Sequence, residues 1–172
     1  MIKNEGTLST IKGDVTNPQG EGYIIIPHVC NDLGIIGAGV AKALKDKWSD
    51  VFTVYAGAIN SLKKEERLGT CSFVDVETKE NKIIKVANMV AQNDLRSQDN
   101  SKPLKYRALV KCMELVLEEA FCYEKVFEKG QIASIHAPKF GSFLAQGNWN
   151  FILELIKEIW LEEGLNVIIY EF

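Results

Sequence analysis

Apolar and polar residues follow two periods along the chain, one typical of strands and one typical of helices, and segments of the two kinds alternate. Six segments have the composition of strands: 7–11, 23–27, 69–77, 82–91, 131–137 and 167–170. Residues 23–27 are apolar throughout, as in a strand that is covered on both faces. Apolar residues at helical spacing predict three long helices, which begin near Val40, after Ser101 and at Trp149.

This order of elements predicts an α/β domain in which a largely parallel sheet lies between layers of helices. The first two strands flank a turn-forming segment, 17–22, and resemble a hairpin, so we predict a mixed sheet. Ser101 is placed to cap the helix that follows it, with Pro103 in the first turn. The polar segment 92–102 before this helix is predicted to be a surface loop.

The composition limits the classes of protein that the chain can represent. Its 172 residues are the size of one domain, so we expect a single domain over 1–172. A net charge of −3 argues against a protein that binds nucleic acid mainly through its phosphates. No apolar segment approaches the ~20 residues that span a bilayer, and residues 1–5 do not resemble a signal peptide. We therefore expect a cytoplasmic protein without membrane contact.

The cysteine pattern points to reduced thiols rather than disulfides or a metal site. No two cysteines form a CxxC pair, and each lies in an apolar or helical stretch: Cys30, Cys71, Cys112 and Cys122. With only His28 and His136 to add, we expect no zinc site.

The first of two glycine-rich loops, residues 31–39, follows the apolar strand and precedes a helix. Glycines let backbone N–H groups approach a ligand because no Cβ is in the way. The helix that begins near Val40 adds the positive end of its dipole. A protein can hold a diphosphate in this way without a cluster of lysines, although the same loop can also be a plain connection.

Two other phosphate-binding patterns do not fit this loop. Gly37 and Gly39 begin a dinucleotide-binding pattern, but Lys42 stands where its third glycine is required. A P-loop is absent too, because the chain has no glycine followed after four residues by Gly-Lys-Ser or Gly-Lys-Thr.

The second loop, residues 138–147, also leads from a strand into a helix, so two helix N-termini can face one anion. Ser142 adds a hydroxyl group, and Asn148 is placed to cap the helix or to touch a ligand. The Asp14 carboxylate, after the first strand, can accept a hydrogen bond from an amine such as that of adenine, or can cap a turn. Ligands of such sheets bind beyond the carboxyl ends of the strands, where both loops lie.

Three ordered segments together resemble the macro domain family of ADP-ribose-binding proteins: 11–16, Asn31 with 37–41, and 138–149. The resemblance covers nearly the whole chain. It is greatest for small stand-alone proteins that process ADP-ribose 1″-phosphate, and for relatives that remove ADP-ribose from glutamate. It implies a three-layer α/β/α fold around a mixed six-stranded sheet, with no metal and no cofactor.

The resemblance also implies how ADP-ribose is bound. Asp14, beside Val15, would lie on the adenine amine, and Asn31 would lie near the distal ribose. The two loops would contact the distal ribose and the diphosphate from opposite sides, through Gly37, Ala38, Gly39 and Val40 and through Gly141, Ser142, Phe143, Leu144, Ala145 and Gly147. Leu144 and Phe172 would line the adenine or a ribose.

His28, Asp32 and Asn31 are the candidate catalytic residues. A histidine with a pKa near 6.5 can serve as acid or base, and the yeast-like phosphatases that the chain resembles have a histidine at this place. His28 can equally be a structural residue at the end of a strand. Asp32 is a second carboxylate within reach of the same loop. His136 lies inside a predicted strand and is interpreted as structural.

Three positions depart from the family's pattern. The glutamate-specific relatives have an aspartate where this chain has Ala145, and their lysine nucleophile would fall near residues 91–92, where no lysine stands. Their covalent mechanism is therefore not expected here. Phe143 stands where the family usually has glycine, and its ring either redirects the loop, packs on the distal ribose or weakens binding.

The first hypothesis is a phosphatase that converts ADP-ribose 1″-phosphate to ADP-ribose and phosphate. The alternatives are a non-catalytic reader of ADP-ribose, and a hydrolase that removes ADP-ribose from protein or nucleic acid. Ala145 and Phe143 favour the reader, whereas His28 and the single-domain length favour the phosphatase. We expect a monomer whose partner is ADP-ribose or ADP-ribose 1″-phosphate, without direct binding of nucleic acid.

Overall fold

The computed structural model describes residues 4–122 and 132–172. It contains six strands: β1 (Leu8–Lys12), β2 (Gly22–Asn31), β3 (Cys71–Lys79), β4 (Lys82–Gln92), β5 (Ser134–Pro138) and β6 (Val167–Glu171). The helices are α1 (Gly39–Lys47), α2 (Ser49–Asn60), α3 (Lys64–Arg67), α4 (Tyr106–Cys122) and α5 (Trp149–Ile156), which continues as a π-helical turn over Lys157–Leu161. The predicted start of β5 at residue 131 lies outside the described residues. Within them, no helix has the length and apolarity that a bilayer span requires.

The six strands form one mixed sheet in the order β1-β6-β5-β2-β4-β3, which confirms the predicted fold class. Every neighbouring pair is parallel except β3 with β4. The predicted hairpin of the first two strands is wrong, since β1 pairs with β6 and β2 pairs with β4 and β5. The reason is burial: β2 is apolar on both faces and fits the middle of the sheet, whereas β1 has exposed positions and fits its edge.

Helices cover both faces of the sheet, as a three-layer fold requires. Ile25 of β2 packs with α4 and α5 in the larger core cluster, which also contains Trp160. Ile24 and Ile26 point to the opposite face, where they pack in a cluster with Leu44 of α1 and Val51 of α2. The alternation of side chains along one buried strand therefore joins the two helical layers.

The predicted helix after the first loop is two helices. Trp48 leaves the helical conformation at φ −133° and ψ 96°, and its backbone N–H still bonds to the Leu44 carbonyl at 2.8 Å. The bend at Trp48 allows both helices to lie on the sheet, because Leu44 and Val51 are both fully buried.

The prediction that Ser101 caps the next helix is also wrong, because α4 begins at Tyr106. The preceding segment is extended and bonded to its neighbours: Leu104 bridges Gln92, and Lys105 N–H donates to the Ala91 carbonyl at 2.8 Å. Backbone hydrogen bonds to a strand thus compete with the local helix signal, and they prevail here.

The topology gathers the functional candidates at one edge of the sheet. Because five strands are parallel, their carboxyl ends share an edge, which we call the loop edge. The first loop (residues 31–39), the second loop (residues 138–147) and residue 14 all lie there, with the segment 93–105 that follows β4.

Candidate functional site

Asn31, at the end of β2, organises the first loop. Its Oδ1 accepts hydrogen bonds from the backbone N–H groups of Leu33 at 3.0 Å and Ile35 at 3.3 Å, and its Nδ2 donates to the Ile35 carbonyl at 2.7 Å. The Tyr55 hydroxyl lies 2.6 Å from the Asn31 backbone carbonyl oxygen and 2.8 Å from the same side-chain oxygen, and its one proton is directed to this pair. The side chain is 8% exposed. Its Oδ1 and one of its two Nδ2 protons are therefore committed to the protein, and the side chain fixes the loop.

The stretch 37–40 presents bare backbone to solvent. Gly37, Ala38 and Gly39 are exposed, and Ala38 begins α1 with no capping bond from its side chain. The N–H groups of the first turn of α1 therefore lack the usual side-chain acceptor, which suits an anion. Gly39 has φ +63°, and a Cβ added there would lie 3.6 Å from Leu144 Cδ1, so the two loops face each other.

Gly37 differs from most glycines of the chain because the protein itself does not require it. Its φ lies outside the left-handed region, and an added Cβ would meet no protein atom within 4 Å. Neither backbone strain nor packing explains a glycine at this position, and the same holds for Gly57 in α2. Unlike Gly57, Gly37 leads into the uncapped start of α1, where it leaves open space beside the backbone.

The second loop is closed by its glycines. The Gly147 N–H donates to the Gly141 carbonyl at 2.8 Å, and Gly141 has φ +73°. The Ser142 hydroxyl donates to the Lys139 carbonyl at 2.8 Å. Ala145 is buried, at 4% exposure. The groups of this loop that remain available to a ligand are backbone atoms and two exposed side chains. Phe143 is 78% exposed and Leu144 is 46% exposed.

Asp14 and Val15 lie after β1, one with its side chain at the surface and the other with its side chain in the core. Asp14 is exposed, and its Oδ1 accepts the backbone N–H of Thr16 at 2.8 Å, which leaves lone pairs on the carboxylate for a ligand. Val15 is 1% exposed and packs in the core beside α1 and α2, so only its backbone is placed to face a ligand.

His28 lies in the interior of the sheet. It is 2% exposed, and its Nε2 is 2.6 Å from Asn88 Oδ1 on β4. Because Asn88 Nδ2 donates to the Val51 carbonyl and to Ser72 Oγ, Oδ1 is the acceptor and His28 donates from Nε2. Burial lowers the pKa of His28 to about 4, against a smaller raising effect of the Asn88 hydrogen bond. A catalytic acid or base at the loop edge does not fit this position, because the ring is buried between the sheet and α2, where its partner Asn88 also bonds to the Val51 carbonyl.

Asp32 is buried as well, at 1% exposure. Its Oδ1 accepts the backbone N–H of Asp94 at 2.7 Å, and its own N–H donates to the Gln92 carbonyl at 2.9 Å. Asp32 therefore joins the first loop to the segment after β4, which makes it a positioning residue in this arrangement.

Asp94 is a candidate that the sequence patterns did not single out. It is exposed at the loop edge and adopts φ +61°, a left-handed conformation that is uncommon outside glycine. Its N–H is held by buried Asp32, and its Oδ1 accepts the Leu95 N–H at 2.6 Å. A carboxylate that directly follows a parallel strand is a signal that could have found it.

His136 has the structural role that its position in a strand predicted. It is 2% exposed, with Nδ1 at 2.9 Å from the Tyr170 hydroxyl and Nε2 at 3.1 Å from Ser134 Oγ. The Tyr170 oxygen accepts the Gln19 N–H at 2.8 Å and can donate its proton to Nδ1. Nε2 then carries the ring proton and donates to Ser134, so the chain of bonds is satisfied by a neutral ring.

These buried rings predict a loss of stability in mild acid. Burial lowers the pKa of His28 and of His136 to about 4, whereas a histidine of the unfolded chain titrates near 6.5. Between about pH 6.5 and pH 4 the unfolded state binds protons that the folded state excludes, so the free energy of unfolding falls as the pH falls. We expect about 1.4 kcal/mol per pH unit for each ring, measured by urea unfolding at pH 7 and pH 5.

The variant His28→Gln provides the control for this prediction, because glutamine can still donate to Asn88. In the variant, the part of the pH dependence of the unfolding free energy that His28 contributes is expected to disappear. The part that His136 contributes is expected to remain. An unchanged dependence on pH would show that His28 is not the group that titrates.

Solved structures place this fold among known proteins, although no protein-family model and no curated protein matches the chain. A protein of unknown function from Bacteroides thetaiotaomicron is 33% identical, with a TM-score of 0.84 over 98% of this chain and 100% of that one. A macrodomain protein from Streptomyces coelicolor is 30% identical, with a TM-score of 0.76 over 96% of this chain and 99% of that one.

A more distant structure has the same fold with a ligand. Thermosipho africanus DarTG, in complex with ADP-ribose, is 18% identical, with a TM-score of 0.73 over 95% of this chain and 41% of that one. At this identity the likeness concerns the fold alone. The identity and nearly complete coverage of the Streptomyces protein, together with the sheet order and the two glycine-rich loops, show that the chain belongs to the macrodomain family.

Proposed function

We propose that this protein binds ADP-ribose at the loop edge. The observation that carries the proposal is Gly37, an exposed glycine that neither packing nor conformation requires. The ADP-ribose complex of the distantly similar Thermosipho protein supports the choice of ligand. Bare N–H groups at the start of α1 suit the diphosphate, because they supply donors and a positive dipole end without a cluster of lysines.

In this proposal the sheet order sets the direction of the ligand. Asp14 follows the edge strand β1 and would accept a hydrogen bond from the adenine amine. The first and second loops follow the central strands β2 and β5, and would hold the diphosphate between them. The distal ribose would then lie toward β4, where Asp94 is exposed.

Calorimetry with ADP-ribose tests the proposal. We expect Asp14→Ala to weaken binding by about tenfold, the effect of losing one hydrogen bond to a charged group. Asp14→Asn keeps an acceptor for the Thr16 N–H but places an amide where the ligand amine needs a lone pair, so it should weaken binding too. Glu80→Ala removes the same charge in the turn between β3 and β4, at the opposite edge, and should change nothing. Absence of heat with the wild-type protein would overturn the proposal.

A second candidate function is hydrolysis of ADP-ribose 1″-phosphate. The exposed carboxylate of Asp94 favours this reaction over simple binding of ADP-ribose. This carboxylate would take a proton from a water molecule that attacks the phosphorus. The bond from phosphorus to the ribose oxygen would break, the ribose oxygen would take a proton from solvent, and the products would be ADP-ribose and inorganic phosphate. Strain at a left-handed aspartate is typical of functional sites, and the contact with Asp32 would position this carboxylate.

Phosphate release from ADP-ribose 1″-phosphate separates the two functions in the same sample. A phosphatase of this kind should lose most of its turnover in Asp94→Asn and keep its affinity for ADP-ribose. Turnover in His28→Gln should persist, since that ring is buried. Binding without release of phosphate would leave a protein that holds ADP-ribose and does not hydrolyse this ester.

A further inference from the structure

A cavity of about 270 Å³ opens between the end of the second loop and the segment that precedes α4. Six residues line it: Lys102, Leu104, Tyr106, Gln146, Gly147 and Asn148. Leu104 is 6% exposed and forms an apolar side of the cavity. A Cβ added at Gly147 would lie 2.6 Å from the Gly141 carbonyl oxygen and 2.3 Å from Leu104 Cδ2, so the chain is tightly packed at this wall.

Three hydrogen-bond donors at this cavity have no acceptor among the described residues. The Tyr106 oxygen accepts the Asn148 N–H at 2.7 Å, but its own proton is given to no described group. Asn148 caps α5, because its Oδ1 accepts the Phe151 N–H at 3.2 Å. The Nδ2 group of Asn148 donates to no described residue. Lys102 forms no ion pair within residues 4–122 and 132–172.

Lys102 is the one charged residue among the six that line the cavity, and none of the six carries a carboxylate. The stretch 96–107 holds one exposed carboxylate, Asp99, and four exposed cations, none of which has an ion pair with a described residue: Arg96, Lys102, Lys105 and Arg107. Uncommitted donors next to an uncompensated ammonium group favour an anion with several acceptor oxygens.

We propose that this cavity is a subsite for a phosphate group. Its volume lies just below the range of about 300–1,000 Å³ for sites that hold drug-sized ligands, so it suits a phosphate or a phosphorylated sugar. The second loop separates it from the ADP-ribose site, because Ala145 accepts the Leu104 N–H at 3.1 Å between the two. The phosphate therefore arrives as a separate molecule, because the 1″-phosphate of a ligand at the loop edge would lie beside Asp94, on the other side of the second loop. The subsite does not rest on the proposed function.

Titration with inorganic phosphate, followed by the backbone amide resonances of the intact protein, tests the subsite directly. We expect the resonances of residues 102, 106 and 146–148 to shift together. Lys102→Met and Asn148→Asp should each weaken this binding by about fivefold or more, the first by removing a charge and the second by adding a like charge. Asn148→Asp retains the oxygen that caps α5, so its effect would not come from loss of the helix end. Lys105→Met, which removes a nearby cation outside the cavity, is the matched control.

Failure of the subsite is distinguishable from failure of the proposed function. If phosphate moves none of these resonances, or if Lys105→Met weakens binding as much as Lys102→Met, the subsite is overturned even where ADP-ribose binds. If phosphate shifts them while ADP-ribose does not bind, the subsite stands and the proposed function falls.

Saturation with ADP-ribose tests whether the two sites are separate. We expect the phosphate titration to be unaffected by saturating ADP-ribose, and Lys102→Met to leave the affinity for ADP-ribose 1″-phosphate unchanged. Loss of the phosphate-induced shifts on saturation with ADP-ribose would overturn a separate subsite.

Discussion

Replacing Gly6 with alanine is expected to lower the free energy of unfolding by about 3 kcal/mol, because the new methyl group has no room. A Cβ built at this position would lie 1.9 Å from the Leu165 carbonyl oxygen and 2.4 Å from its carbon. Both atoms are backbone, so no side chain can turn away to relieve the clash. Gly6 also donates its N–H to the Leu161 carbonyl at 2.8 Å, which fixes its distance from the turn before β6.

The clash would propagate into the edge of the sheet. The Thr7 carbonyl accepts the Val167 N–H at 2.8 Å, and Leu8 pairs with Val167 in the parallel ladder of β1 and β6. Movement of residue 6 away from Leu165 would therefore pull on the first contacts of that ladder. Chemical denaturation of the wild type and the variant at the same pH measures the effect.

Gly57→Ala is the matched control for this substitution. Gly57 lies in α2, is exposed, and has no protein atom within 4 Å of an added Cβ. Alanine is a better helix former than glycine, so this variant should gain up to about 1 kcal/mol. A Gly6→Ala protein as stable as the wild type would mean that residues 6 and 165 do not approach as described.

Replacing Gly37 with alanine is expected to leave the fold intact and to lower the affinity for ADP-ribose by at least about tenfold, or 1.4 kcal/mol. The free protein has space for the methyl group, and a φ outside the left-handed region accepts alanine without strain. Stability should therefore stay within about 0.5 kcal/mol of the wild type, or rise slightly, since alanine restricts the unfolded chain. Only a ligand in close contact with the backbone would be excluded by the new group.

Calorimetry and denaturation on the same preparations separate the two effects. Gly57→Ala again serves as the control, because it makes the same chemical change at an exposed site of α2, outside both glycine-rich loops. Unchanged affinity in Gly37→Ala would show that ADP-ribose does not approach residue 37. The open space at that glycine would then need another explanation.

The sequence predicted most of what depends on local patterns. The apolar run at 23–27 lies within β2, the most buried part of the sheet, and the two glycine-rich loops lie at the ends of parallel strands. These predictions succeed because a strand that is apolar on both faces has few other places in a domain. The segment around Ser101 and Pro103 is the counterexample, since both residues favour a helix start, whereas Leu104 bridges Gln92 and the helix begins only at Tyr106.

The residues of the candidate site likewise fall into two groups, those that the sequence predicts and those that it does not. Residue types alone predict the positions of the glycines, of Asp14 and of the two loops. This is possible because a glycine backbone or an exposed carboxylate can bind a ligand without a partner that is distant in the chain. The burial of His28 and Asp32 cannot be predicted in this way, because it depends on Asn88 and Asp94, which lie 60 and 62 residues away in the chain. The position of Asp94 after a strand is visible in the sequence, but its left-handed conformation depends on the distant Asp32 carboxylate.

By itself, the sequence determined the alternation of strands and helices, the mixed sheet and the two loops that identify the family. Tertiary structure decided which strands pair, which polar groups are buried and which remain at the surface. β1 joins β6 instead of β2, and the three uncommitted donors of Lys102, Tyr106 and Asn148 meet at one cavity. The physical reason is that periodicity and propensity act over a few residues, whereas pairing, burial and charge depend on elements that are distant in the chain.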